Sequence, residues 1–326
     1  MYLEIGDKPI FNTDKKGAGL EVKSDKQFCY YLNSGRNALY QVINEENIEK
    51  VYVCSYNCYT VIEPFIKSNI DVELYNVDRF FNIVNLFEKL DKETNKCAVV
   101  IQNYFATYFL DSVKQKLQTY PNVIVIEDIT QSMLDNREFV GANYYVGSIR
   151  KWAGIGEGGL LLTDKKIQSI ENSDNEILAL QKSIAPMQQE YITSRNQQLK
   201  ETYRAISAKI ESLFDNKRIQ KISDCSLQIV QNIDFQYIKD KRRDNFDYLL
   251  TRLKELDFIT LPIKELNKKS VPLYLPIYVE NRDKLQHFLF NYNIYMPILW
   301  DVYDKIDYKI NVETQYIYTT IYYVCI

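Results

Sequence analysis

Short apolar, β-branched runs alternate with segments of helical spacing along the first half of the chain. The spacing predicts a helix over 38–43, a strand over 51–53 and a helix over 60–67. A strand over 72–75, a helix over 84–90 and a strand over 98–101 follow. Then come a helix over 111–117 and a strand over 123–126, with a further strand over 159–163. Strands that are apolar at every position are buried on both faces, and their alternation with helices predicts an α/β fold: a mostly parallel sheet between two helical layers.

Beyond residue 165 the pattern becomes helical and polar, and 188–198 reads as an exposed connection. A long helix is expected over 238–256, a strand over 273–279 and a helix over 282–291. These predict two domains, a large α/β domain over 1–215 and a smaller α+β domain over 216–326.

With 46% hydrophobic residues over 326 positions, the chain has enough apolar surface for a full core. A net charge of −3, with Lys and Arg dispersed, gives no basic track for nucleic acid. The six cysteines show neither zinc spacing nor a Cys-x-x-Cys pair, which predicts a reduced, cytoplasmic protein without a metal. Residues 1–8 lack a basic start and an apolar core, so no signal peptide is expected, and no run is long enough to span a bilayer. The single histidine, His287, sits in a predicted helix and reads as a surface residue, which disfavours serine-histidine hydrolysis and histidine-rich metal sites.

Chemistry concentrates in two places. The stretch from Ser148 to Gly159 carries Lys151 just ahead of a glycine cluster, where close backbone approach to a ligand becomes possible. A lysine whose pKa is lowered by a pocket is a nucleophile toward aldehydes, with pyridoxal phosphate the best-known case. Upstream, the strand over 123–126 runs into Glu127 and Asp128, placing an acid at the carboxyl edge of a parallel sheet, where ligands bind. A carboxylate there pairs with a protonated pyridine nitrogen and keeps the ring an electron sink. Taken alone, Lys151 would be an ordinary surface lysine and Asp128 a helix cap. Ser148-x-x-Lys151 also matches the penicillin-binding motif, but no Ser-Asp-Asn or Lys-Thr-Gly follows.

Four ordered blocks, Leu32–Leu39, Val51–Thr60, Glu127–Gln131 and the lysine block, resemble the DegT/DnrJ/StrS family of pyridoxal-phosphate sugar aminotransferases. The resemblance implies fold type I and a homodimer. It also implies that Lys151 carries the cofactor as a Schiff base and that Asp128 holds the pyridine nitrogen. Gln131 would lie at the ring hydroxyl, and Ser34, Gly35, Arg36 and Ser148 would serve the phosphate. Cys58 stands where relatives carry an aromatic residue on the ring, with Tyr59 or Tyr56 expected to cover it. The implied reaction takes an amino group from a donor, often glutamate, and delivers it to a keto sugar on a nucleotide, for polysaccharide or lipopolysaccharide biosynthesis. Pro297–Trp300 resembles a block near the substrate, although Trp300 alone reads as core.

The family's partner-supplied Asn-x-Arg loop has no match beyond Tyr203-Arg204, and relatives continue through a helix past 322–326, so a truncated or shortened C-terminal domain is expected. Dehydratase relatives carry histidine in place of the lysine. Two other readings stay open: another pyridoxal-phosphate enzyme, and a cofactor-binding or interaction protein of the same fold without turnover.

Overall fold

The computed structural model describes residues 16–106, 110–214, 218–300, 302 and 310–326. Its first half runs β1 (Phe28–Leu32), α1 (Gly35–Glu46), β2 (Lys50–Cys54), α2 (Tyr59–Lys67), β3 (Asp71–Tyr75), α3 (Leu86–Leu90), β4 (Cys97–Gln102), α4 (Asp111–Leu117) and β5 (Val123–Asp128). Next come β6 (Tyr144–Ser148), a 3₁₀ turn (Ile149–Lys151) and β7 (Gly159–Thr163). Four helices follow: α5 (Asn175–Ser194), α6 (Gln197–Leu213), α7 (Asp224–Asn232) and α8 (Phe235–Leu253). The chain closes on β8 (Tyr274–Tyr278), α9 (Arg282–Phe290), α10 (Val312–Thr320) and β9 (Ile321–Cys325).

Seven strands form one sheet in the order β1-β7-β6-β5-β4-β2-β3. The pairs among β2 to β6 are parallel, whereas β7 runs antiparallel to both β6 and β1. This is the mostly parallel sheet that the sequence predicts, and the strand alternation shows why it holds. Along β4, Cys97, Val99 and Ile101 enter one core, while Ala98 and Val100 enter the other. The second core is completed by Ala38, Leu39 and Val42 of α1 and by Val61, Ile62 and Phe65 of α2. The first takes in Phe246 and Leu250 of α8 together with Leu275, Ile277, Tyr322 and Tyr323 of the separate β8-β9 sheet.

One sequence expectation fails here. Residues 188–198 are not a connection: α5 continues to Ser194 and α6 starts at Gln197. Only Arg195 and Asn196 join them, Arg195 in the left-handed conformation and Asn196 accepting from the Gln198 amide as the N-cap of α6. The glutamine-rich stretch reads as a loop from its polarity alone, because exposed hairpin faces are polar as loops are. The 322–326 stretch, expected only as an end, is a strand paired with β8.

The glycines after Lys151 are used for packing within the protein. A Cβ on Gly159 would stand 2.1 Å from the Ser34 carbonyl oxygen and 2.8 Å from the Gly35 nitrogen. Removing that atom lets the start of α1 lie directly on β7. Gly159→Ala should therefore cost about 1–3 kcal/mol, since the obstacle is backbone and cannot rotate away. An unchanged melting temperature would show that α1 can shift without loss.

Candidate functional site

All the parallel strands that carry site residues point their carboxyl ends to one edge, where a cavity of about 230 Å³ opens. Gly35, Arg36, Cys58, Asp128, Gln131, Ser148 and Lys151 all line it. Seven of the residues singled out in four separate sequence blocks thus meet at one place. Ser34, Tyr56 and Tyr59 are not among the lining residues.

Their positions have physical reasons. Ser34 caps α1, its hydroxyl accepting from the Asn37 amide at 3.2 Å. Tyr56 is fully buried and its hydroxyl pairs with that of Tyr323, so its ring belongs to the aromatic core. Tyr59 is the first residue of α2 and stands off the cavity wall. The aromatic residue that does face the cavity is Trp300, 4.8 Å from the Tyr56 ring between centroids. Trp300 thus packs against the aromatic core, as its residue type suggests, and also lines the cavity, in keeping with the resemblance of 297–300 to a block near the substrate.

Asp128 ends β5, buried, and its Oδ1 accepts from the Thr130 amide at 2.8 Å. Burial lifts its pKa above the ordinary value, while the hydrogen bonds from Thr130 work in the opposite direction. Such a carboxylate gains most from a cationic partner. Gln131 is held by its Oε1, which accepts from the Phe105 amide at 2.8 Å.

Lys151 closes the 3₁₀ turn after β6. The residue is exposed by surface area and lines the cavity, while protein atoms crowd its ammonium group. That desolvation and the charge of Arg150 pull its ammonium below 10.5, partly opposed by Cys58 and Glu211. A lowered lysine in a cleft is a candidate nucleophile and proton carrier.

The start of α1 forms the other end. Gly35 lies against β6, where an added Cβ would stand 3.8 Å from the Ser148 Cβ. The Ser148 Oγ and the Arg150 Nε are buried without a hydrogen-bond partner. A helix N-terminus, a hydroxyl without a partner and two arginines compose a seat for an anion. Arg150 and Glu211 were missed as site residues. Arg150 lies inside the lysine block, so its charge is a usable signal, but Glu211 arrives from α6 and no local pattern marks it.

A second cavity of about 560 Å³ shares Arg150, Lys151 and Glu211 with the first. Pro297, Ile298 and Leu299 line it, together with Arg242. The Arg242 guanidinium donates to the Leu273 carbonyl at 2.8 Å and lies 5.0 Å over the Trp152 ring. His287 lies elsewhere, on an exposed turn of α9 against the Asp283 carbonyl, as expected of a surface residue.

The residues fit pyridoxal phosphate. An amine and a buried acid share one cavity, and the Ser148 Oγ and Arg150 Nε, buried without partners, have hydrogen-bonding capacity that a phosphate could fill. Among the described residues no cluster could hold a metal, and no helix is long and apolar enough to cross a membrane.

No family model and no curated protein sequence matches this chain. Solved structures do. An aminotransferase described as DegT DnrJ EryC1 StrS from Brucella abortus superposes with a TM-score of 0.63 at 15% identity, covering 92% of this chain and 81% of that one. The ntda protein of Bacillus subtilis, with bound cofactor PMP, gives 0.62 at 14% over 92% and 69%. DesI, determined in the presence of its TDP-sugar product, gives 0.65 at 10% over 93% and 76%. The chain therefore has the fold of the DegT/DnrJ/EryC1/StrS aminotransferases, the α/β architecture of the fold type I pyridoxal-phosphate enzymes.

Proposed function

We propose that this protein is a pyridoxal-phosphate-dependent aminotransferase that aminates a keto sugar carried on a nucleotide, with Lys151 as the residue that holds the cofactor. The observation that carries the reading is the meeting of Lys151 and Asp128 in one cavity whose far end has unfilled hydrogen-bonding capacity. The solved structures of the same fold add support, since one holds PMP and another was determined with a TDP-sugar.

When bound, pyridoxal phosphate supplies an aldehyde that captures amines and a ring that spreads negative charge. The protein's part is to hold and move protons. Asp128, buried and short of a cation, keeps a proton on the pyridine nitrogen. Gln131, fixed by Phe105, would serve the ring hydroxyl. Lys151, once its amine is free, would carry the proton that moves during the reaction. Cys58 and Trp300, which line the cavity, would flank the ring. The amino donor is assigned as glutamate, the setting as polysaccharide or lipopolysaccharide biosynthesis in the cytoplasm, and the assembly as a homodimer.

Pyridoxal phosphate added to the protein should give the visible absorbance band of a lysine-bound cofactor. Glutamate should then bleach it, and a nucleotide-linked keto sugar restore it. A protein that never colours overturns the reading. A second reading, a cofactor-binding protein without turnover, draws on the protein carboxylate that lies between the two arginines of the anion seat. Colour that glutamate leaves untouched would select it.

A further inference from the structure

Glu211 stands in the last turn of α6 and lines both cavities. Its Oε2 accepts from the Arg36 guanidinium at 2.8 Å, and its Oε1 pairs with Arg150. Arg36 also donates to the Glu211 backbone carbonyl at 3.2 Å, so the end of α6 offers it both a side chain and a helix C-terminus. On its other side Arg36 lies 3.5 Å from Glu63, which is paired with Lys67 at 3.0 Å. The two arginines of the seat thus have protein carboxylates against them, while the Ser148 Oγ and the Arg150 Nε beside them stay unpaired. Burial would push the Glu211 carboxyl up, but Arg150, Arg36 and Lys151 together hold it below its usual range, so it is charged at neutral pH.

A phosphate dianion in this seat would meet that negative charge at contact distance. The two cannot share the arginines without like-charge repulsion in a partly desolvated place. We propose that Glu211 is a tethered competitor for the anion seat: phosphate entering at the start of α1 takes Arg36 and Arg150 from Glu211 and frees the last turn of α6. Loading of the site and release of the α5-α6 hairpin end are then one equilibrium, and cofactor affinity is set below what the arginines alone would give. The identity of the anion as a cofactor phosphate rests on the function proposed above; the seat and its competitor do not.

Inorganic phosphate is the first probe, read by thermal unfolding. Glu211→Gln removes the charge and keeps the shape, and should bring the phosphate concentration for half-maximal stabilisation down about tenfold, the equivalent of one lost like-charge contact. An equal or higher concentration overturns the proposal. Hydrogen exchange of the unmodified protein tests it without a variant: saturating phosphate should lower protection in the last turn of α6, and unchanged or raised protection overturns it.

Pyridoxal phosphate and phosphate-free pyridoxal, titrated by absorbance, separate this inference from the function. Glu211→Gln should tighten the first by clearly more than the second, which gains only through the further lowering of the Lys151 ammonium once the Glu211 charge is gone. If both proteins take up the phosphate ester equally well, the competitor fails and the cofactor reading stands. If neither aldehyde is captured while inorganic phosphate behaves as expected, the cofactor reading fails and the competitor stands.

Discussion

Lys151→Ala should abolish the borohydride-trapped pyridoxal-phosphate adduct, and peptide mapping of the unmodified protein should place that adduct on Lys151. Bleaching of the cofactor band by glutamate should slow by about 10²–10⁴-fold, the range expected when a positioned proton carrier is removed. The argument rests on position and protonation together. Lys151 shares its cavity with Asp128, and desolvation followed by the Arg150 charge lowers its ammonium below 10.5. The free amine is the reacting form and appears as pH rises through that lowered value. Adduct formation, followed by stopped-flow absorbance, should therefore climb to its plateau at a lower pH than for an ordinary lysine. An adduct on another lysine, or one that persists in Lys151→Ala, removes the assignment.

Glu127→Ala is expected to have the largest effect on stability, about 3–5 kcal/mol, because it removes the fully buried carboxylate shared by two buried cations and leaves Lys114 to Asp111 at 3.6 Å and Arg137 to the longer contact with Asp135. Glu127 is 0% exposed and lies between Lys114 and Arg137, each at 2.8 Å. Arg137 reaches on to Asp135 at 3.3 Å, and Asp135 accepts from the Val271 amide at 2.8 Å. The network ties β5, α4 and the segment leading into β8 together. It also separates the roles of two adjacent acids, since the strand's two-residue alternation turns Glu127 to this network and Asp128 to the cavity. Urea unfolding measures the loss; a cost under about 1 kcal/mol would mean that water or rearrangement compensates the cations.

The sheet was legible in the sequence where strands are apolar on both faces. The stretches 98–101 and 123–126 could be read because every position but Val123 is buried and all are aliphatic, most of them β-branched. β6 was missed: Tyr-Tyr-Val-Gly-Ser carries a glycine and two aromatic residues, and it gains strand character only from its neighbours β5 and β7. α10 and β9 went unread for a related reason, since threonine- and tyrosine-rich sequence suits helix and strand alike until β8 supplies a partner. Within the site, residues following strands were found, because the edge of a parallel sheet is a predictable place. Glu211 and Arg242 come from helices far along the chain, and only tertiary packing brings them to Lys151. Of the two tyrosines expected to offer a cover for the ring, neither lines the cavity, since proximity in sequence to Cys58 says nothing about which side chain turns inward.

Thr130 makes three bonds that fix distances. Its amide donates to Asp128, its hydroxyl accepts from the Ser148 amide at 3.1 Å, and its carbonyl accepts from the Trp152 indole at 2.7 Å. One residue thereby spaces the acid, the anion seat and the lysine turn from each other, like a jig that sets tool positions before work begins. The opposite wall, with Leu273, Tyr274, Leu299 and Trp300, comes from a different stretch of chain. Altering substrate scope is thus separable from altering the chemistry: libraries confined to those four positions leave the spacing intact, whereas changes at Thr130 would loosen every working part at once.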